Sequence, residues 1–336
     1  MSHPRKWLRF MAGLLLTGVF LYMAFGQLDG NRLVENINFA AIPLFMALIF
    51  LSLGYVTRIL RWWWMLRTLD STLPFRSCTG PFLVSIAVNN LLPFRAGDLV
   101  RVIGFRKQLN APVMRLAGTL FVERLLDLTV LLTFLFVGSM AISTDMFPTS
   151  FLNAAQWVAM ITLSVLVALV VVPEKIHLLA AWAIRWMRID RTGNHLRTDR
   201  FLEQFFHTLE LLKSHSTLIR LLALSVLVWL FEGAVFFAVS WALLSPLGVA
   251  GSAFTVATGT LATLLPSTPG YVGTFDYFAM LGAMVYGHER EWAAAFALMV
   301  HIMLWAPLTI AGLLCLLLPR GRSLWKSAHD TQFGGD

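Results

Sequence analysis

The stretch Asn89-Asn-Leu-Leu-Pro93-Phe-Arg95-Ala-Gly97-Asp98-Leu-Val-Arg101 decides how this chain is organised. An apolar run over residues 80–92 leads into it, and another resumes at Leu99. Neither run approaches the roughly 20 apolar residues that a helix needs to cross a bilayer core. Pro93 cannot continue a helix and pushes the residue before it out of helical backbone. A break at membrane depth frees backbone groups that lipid cannot satisfy, so protein or a watery cavity must enclose it. Asn89 and Asn90 supply amides for that purpose. Arg95 stands in the break, where a helix end and a guanidinium can together hold a phosphate. Asp98 could pair with Arg95 or Arg101 and keep the arginine oriented. The plain alternative is a surface turn between two interfacial helices.

The surrounding chain sets the membrane context. Of its 336 residues 58% are hydrophobic and 13% are charged, about half the charge of a soluble protein. Six apolar stretches are long enough to span: 8–26, 41–60, 118–141, 153–173, 219–244 and 293–318. A second broken stretch runs over 253–265, stops at Pro266-Ser-Thr-Pro269-Gly270-Tyr-Val-Gly273, and resumes from 274 to 286. The formal net charge of +8 fits cytoplasmic loops facing anionic lipid rather than a nucleic-acid partner. The two cysteines, Cys78 and Cys315, have no metal-type spacing. The basic, apolar N-terminus lacks a small-x-small cleavage site and reads as a retained first helix.

Orientation follows from the basic residues. With the N-terminus inside and both broken stretches as re-entrant hairpins, every one of the 26 Lys and Arg except Arg32 and Arg290 lies on or near the cytoplasmic side. The expected fold is therefore an all-α polytopic membrane protein with six full spans and two re-entrant broken hairpins, both termini cytoplasmic. Residues 1–141 form a first half with its hairpin at 80–107. Residues 142–318 form a second half with an outside-facing hairpin at 253–287, and 319–336 is a basic tail. Leu91-Leu-Pro93…Gly97-Asp98 finds an echo in Leu264-Leu-Pro266…Gly273…Asp276. The two halves thus read as inverted repeats, the recurring plan of secondary transporters. Residues 174–218 carry a helix with Phe201, Phe205 and Leu209 on one face, suited to the inner leaflet or to a partner protein.

Ionisable residues inside spans need partners or water. Arg58, Arg61 and Trp62 share one helix face, as a belt of snorkelling side chains or as the mouth of an anion site. Glu123 and Asp127 share a face of the third span, with Arg124 turned about 100° away. Their carboxylates could meet arginines of the first hairpin, or form a structural cluster. In the second break Pro269, Gly270 and Gly273 interrupt the helix, and Thr274 could cap its return. Glu232 and His301 lie within the fifth and sixth spans. Each is ordinarily a hydrogen-bonded structural group, and either could couple movement to protons. There is no Walker A loop, no nucleophile elbow and no metal motif.

Four motifs in order resemble a known family: Arg58…Arg61-Trp62, Asn90-Leu-Leu-Pro93-x-Arg95-x-Gly97-Asp98, Glu123-Arg124-x-x-Asp127 and Pro266-x-x-Pro269-Gly270-x-x-Gly273. Over most of its length the chain looks like the flippase-like family that shares the membrane region of lysylphosphatidylglycerol synthases. It departs in carrying Asp98 and Asp276 where that family often has Glu, and in lacking a following acyltransferase domain. The resemblance implies a non-enzymatic translocator of an anionic phospholipid or polyprenyl-linked lipid in the bacterial inner membrane, without cofactor. The other expectation is a scaffold or regulatory subunit of a lipid-modifying enzyme on the cytoplasmic face. An integral lipid-modifying enzyme using Glu123 or Asp127 as general base is a third.

Overall fold

The computed structural model describes residues 15–26, 39–68, 71–93, 95–106, 108–142, 214–265 and 268–317, with isolated positions between 153 and 164. Most of the expected fourth span, nearly all of the amphipathic segment, Pro266 and the basic tail lie outside the described residues. Those that are described form helices and turns.

In chain order, α1 covers Leu15–Phe25, α2 Ala41–Arg67 and α3 Phe75–Leu91. A single turn, α4 (Ala96–Leu99), runs into a π-turn over Val100–Gly104. Then come α5 (Val113–Ser139), α6 (His215–Ala242), α7 (Gly248–Ala262), α8 (Thr274–Val285) and α9 (Arg290–Leu317). A 3₁₀ turn, Pro269–Tyr271, precedes α8. Helices α2, α6 and α9 are long and apolar enough to cross a membrane. At 1.5 Å per residue their 27 or 28 residues exceed the roughly 30 Å of a hydrocarbon core. Helix α5 is as long, but Glu123, Arg124 and Asp127 interrupt its apolar text. The stretch expected to be cytoplasmic up to residue 218 is already helical from His215.

The first break forms where Pro93 demands, and the second lies between Ala262, the end of α7, and the 3₁₀ turn that opens with Pro269. Leu92, just before Pro93, has extended backbone (φ −116°, ψ 145°), as the proline ring requires. Arg95 then adopts left-handed backbone (φ 53°, ψ 41°) and α4 begins at Ala96. Gly97 lets the returning turn lie against α3: a Cβ there would clash with Ser85 O and sit 2.8 Å from Asn89 N. In the second break Gly270 is left-handed (φ 70°), and a Cβ would lie 2.9 Å from the Trp305 indole nitrogen. Helix α8 is capped by Asp276, whose Oδ2 accepts the Gly273 N–H at 2.8 Å. Thr274, the expected cap, instead donates back to Tyr271 O at 3.0 Å.

The helices pack in a pattern that repeats. Helix α2 lies on α6, α3 on α9, and α5 on α7. Exchanging α2 with α6, α3 with α7, α4 and its π-turn with α8, and α5 with α9 maps these packed pairs onto one another. Two apolar clusters form the core. One is built mainly from α6 to α9, the other from the second half of α2 with α3 and α5. Along α2 the first cluster ends at Leu51 and the second begins at Ile59, while Tyr55 packs against both. Arg58 and Arg61 stand at this junction.

Candidate functional site

A cavity of about 390 Å³ opens at that junction. Its wall is apolar for the most part, but Arg58, Arg95, Arg124, Glu123, Asp127 and Glu232 all reach it. Six charges at one cavity within an apolar bundle are costly unless paired, and their pairing explains the geometry.

Asp127 of α5 is the hub. Its Oδ1 accepts from Arg61 Nη1 at 2.6 Å and from the Trp229 indole N–H at 3.1 Å. Its Oδ2 lies 3.9 Å from Arg58 and 3.8 Å from Arg124. Arg61 is completely buried and also donates to Ser225 Oγ at 2.7 Å. It is therefore an internal strut rather than a group at a mouth. Arg58 is bonded to Glu232 of α6 and lies 4.6 Å from the Trp229 ring. Arg101, aimed inward by the π-turn, meets Glu123 with Nη1 and Nη2 at 3.3 and 3.2 Å and packs between Trp62 and Phe82. A π-turn shifts the register of the helix locally, and here that turn carries a guanidinium buried to 1% exposure.

Asp98 does not pair with Arg95. It accepts Arg124 Nη2 at 3.1 Å on both oxygens and the Asn89 amide at 3.0 Å, while Arg101 stands 4.0 Å away. Asn89 Oδ1 in turn accepts the Asp98 N–H at 3.2 Å, so the pair ties α3 to α4. Asn90 reaches the other way, donating to Thr309 Oγ1 of α9 at 2.8 Å.

Arg95 is left as the exception. It donates to Thr263 Oγ1 at 3.1 Å and stands 5.9 Å from the Tyr271 ring. Among the described residues, no carboxylate lies within 4.0 Å of it. Arg95 belongs to the first break and Tyr271 to the second, and both have left-handed backbone, φ 53° and 61°. Such backbone costs about 1–3 kcal/mol at a residue other than glycine and persists where the surroundings over-determine it. The two breaks therefore face each other across the cavity, each holding a strained residue toward it.

A family model described as the lysylphosphatidylglycerol synthase TM region matches residues 10–312. The chain belongs to that family. Every residue of the cavity lies within the matched span. A UPF0104 membrane protein of Methanocaldococcus jannaschii is 24% identical over 219 residues, which cover 63% of this chain and 85% of that protein.

In this member of the family the structure gathers Arg58, Asn89, Asn90, Arg95, Glu123, Arg124, Asp127, Glu232, Gly270 and His301 around one cavity. Arg61, Asp98 and Arg101 stand behind them and hold them in place. Pro93, Gly97, Pro269 and Gly273 shape the breaks, and Asp276 bonds His301 Nδ1 at 2.7 Å. Sequence reasoning missed Trp229, Ser225 and Thr263, which bond Asp127, Arg61 and Arg95. It also gave Tyr271 no site role. An indole or hydroxyl inside an apolar helix carries no sign of what it will face. Trp229 alone had a hint, three residues from Glu232 on the same helical face.

Proposed function

We propose that this protein is a translocator of a phosphate-bearing anionic lipid, and that the headgroup passes through the cavity while the tails stay in the bilayer. The observation that carries this reading is Arg95, a cation with no carboxylate partner among the described residues, set in a break and facing a cavity whose other arginines are paired. A guanidinium with free donors is the side chain best suited to a phosphate oxygen. Membership of a family described by a lipid-modifying synthase's membrane region supports a lipid as the molecule handled. The ion pairs among Arg58, Arg61, Arg101, Arg124 and their carboxylates then hold the walls.

The topology that suits this function has six spans and two re-entrant hairpins in inverted halves, with both termini cytoplasmic in a bacterial inner membrane. The self-mapping pattern of packed helices supports two equivalent halves. Two breaks meeting at one cavity would let either side open to it in turn. On this reading the chain is a transporter rather than an enzyme.

The test is headgroup translocation in proteoliposomes across a panel of labelled anionic phospholipids and polyprenyl phosphates, comparing wild type with Arg95→Ala. Protein-dependent movement, reduced about 10- to 100-fold in the variant as the loss of one charged hydrogen bond predicts, is the expected result. Movement untouched by the substitution would remove Arg95 from the path. A folded protein that moves no lipid of the panel would favour a scaffold for a lipid-modifying enzyme.

A further inference from the structure

The repeat in helix packing extends to one pair of side chains. In the first half Asp98, on the returning arm of the broken hairpin, bonds Arg124 of the following helix α5 at 3.1 Å. In the second half Asp276, on the returning arm α8, bonds His301 of the following helix α9 at 2.7 Å. Asp276 follows Asp98 by 178 positions, and His301 follows Arg124 by 177. The two pairs thus occupy equivalent places. One joins a carboxylate to a permanent cation; the other joins it to imidazole, the side chain that ordinarily gains and loses its charge between about pH 5 and 8.

The charges around the cavity give that difference a consequence. Among the described residues, Arg58, Arg61, Arg95, Arg101 and Arg124 stand against Asp98, Glu123, Asp127, Glu232 and Asp276, which is five against five. With His301 neutral the assembly carries no net charge, and a monoanionic headgroup would leave one negative charge unbalanced in an apolar bundle. With His301 protonated the assembly is one positive charge in excess, and the same headgroup restores neutrality. Buried charge that is balanced is far cheaper than buried charge that is not.

Resting on the lipid-translocator reading, we infer that His301 with Asp276 is a proton-binding site, and that a phosphodiester headgroup enters the cavity together with one proton. The proton comes from water and is held on the imidazole against the Asp276 carboxylate; no other bond changes. The titratable and charged groups that line the cavity with His301 are Glu232 of α6, Arg58 and Tyr55 of α2, Glu123, Arg124 and Asp127 of α5, and Arg95 and Tyr271 of the breaks, while the polar groups of α3 there are the amides of Asn89 and Asn90. The Phe275 ring lies edge-on 5.2 Å from the imidazole. Asp276 also holds the Gly273 N–H that starts α8, at 2.8 Å. The same carboxylate therefore links the proton, helix α9 and the second break. A lipid phosphodiester, with its one charge, matches this site; a diphosphate, with more, does not.

The experiment titrates the purified full chain in detergent with short-chain phosphatidylglycerol from about pH 5 to 8, the range in which imidazole titrates. Calorimetry is run in buffers of differing ionisation heat. Affinity falls as pH rises, by as much as about tenfold per pH unit, and about one proton is taken up per lipid bound. His301→Gln, which keeps a hydrogen-bonding side chain but no titrating charge, loses both the slope and the uptake. His301→Arg, which copies the pair of the first half, keeps high affinity at the alkaline end. Binding by wild type without slope or proton uptake, or with both retained in His301→Gln, overturns this inference and leaves the lipid reading standing. Absence of binding by all three folded proteins at every pH overturns both.

Discussion

Arg61 Nη1 and Asp127 Oδ1 meet at 2.6 Å between α2 and α5, with the arginine wholly shut off from solvent. Such a pair repays little of its own desolvation, yet breaking it strands a charge where nothing can solvate it. Its partners Ser225 and Trp229 both come from α6, so the pair fastens three helices at one point.

Removing Arg61 should therefore damage the fold rather than a transport step. Arg61→Ala is expected to lower stability by about 3–5 kcal/mol. Thermal unfolding of the purified protein in detergent reads this directly. A melting temperature equal to that of wild type would show that the buried pair does not hold the helices together.

Arg95 should behave in the opposite way. Its left-handed backbone is costly for a side-chain-bearing residue, so Arg95→Gly removes strain along with the guanidinium. Stability is expected to hold or rise by about 1 kcal/mol, while lipid movement in proteoliposomes falls as it does in Arg95→Ala. Arg95→Gly that retains full transport would take the guanidinium out of the mechanism.

Gly97 and Gly80 make a matched pair of substitutions. A methyl group on Gly97 runs into Ser85 O and Asn89, whereas one on Gly80 meets nothing within 4 Å. Gly97→Ala should cost about 1–3 kcal/mol as overpacking, and Gly80→Ala should be neutral or stabilising by about 0.5–1 kcal/mol within its helix. Equal melting temperatures for the two variants would contradict the close approach of α4 to α3.

His288 gives a pH prediction outside the spanning helices. It stacks on Trp292 with ring centroids 4.0 Å apart and shares a hydrogen bond of 3.3 Å with Ser245 Oγ. Burial disfavours the imidazolium and holds this histidine below its usual range. The unfolded chain therefore takes up the proton first as pH falls. The contribution is complete above about pH 6.5, the unfolded value, and is lost as pH drops through the lower folded value. Melting curves should show His288→Asn losing less stability than wild type on going from neutral to acidic pH. Parallel losses would mean that the loop does not favour neutral imidazole.

Two readings from the residues changed in the folded protein. Asp98 had two arginines within four residues of it in the chain; Arg101 does stand 4.0 Å from it, but its shorter contact, at 3.1 Å, is with Arg124, more than twenty residues on. Local spacing favours near neighbours, but Gly97 folds the returning turn against α3 and turns the carboxylate toward α5. Arg58 and Arg61 read equally well as interfacial anchors. Their burial follows from α2 lying against α6, where Glu232 and Ser225 wait.

What this sequence determined by itself was the membrane class, the all-helical character of the described residues and the two breaks. Those features rest on local physics: long apolar runs seek lipid, prolines stop helices, and glycines permit left-handed turns. It also showed that ionisable residues interrupt apolar runs, because charges inside such a run are visible as text. Only the tertiary structure decided which of those charges neutralise one another and which does not. Pairing depends on elements brought together from 22 to 174 positions apart, as Arg101 with Glu123 and Arg58 with Glu232 are. Distances of that kind are set by packing, and an Arg95 with no carboxylate partner among the described residues emerges only after the other partners have been placed.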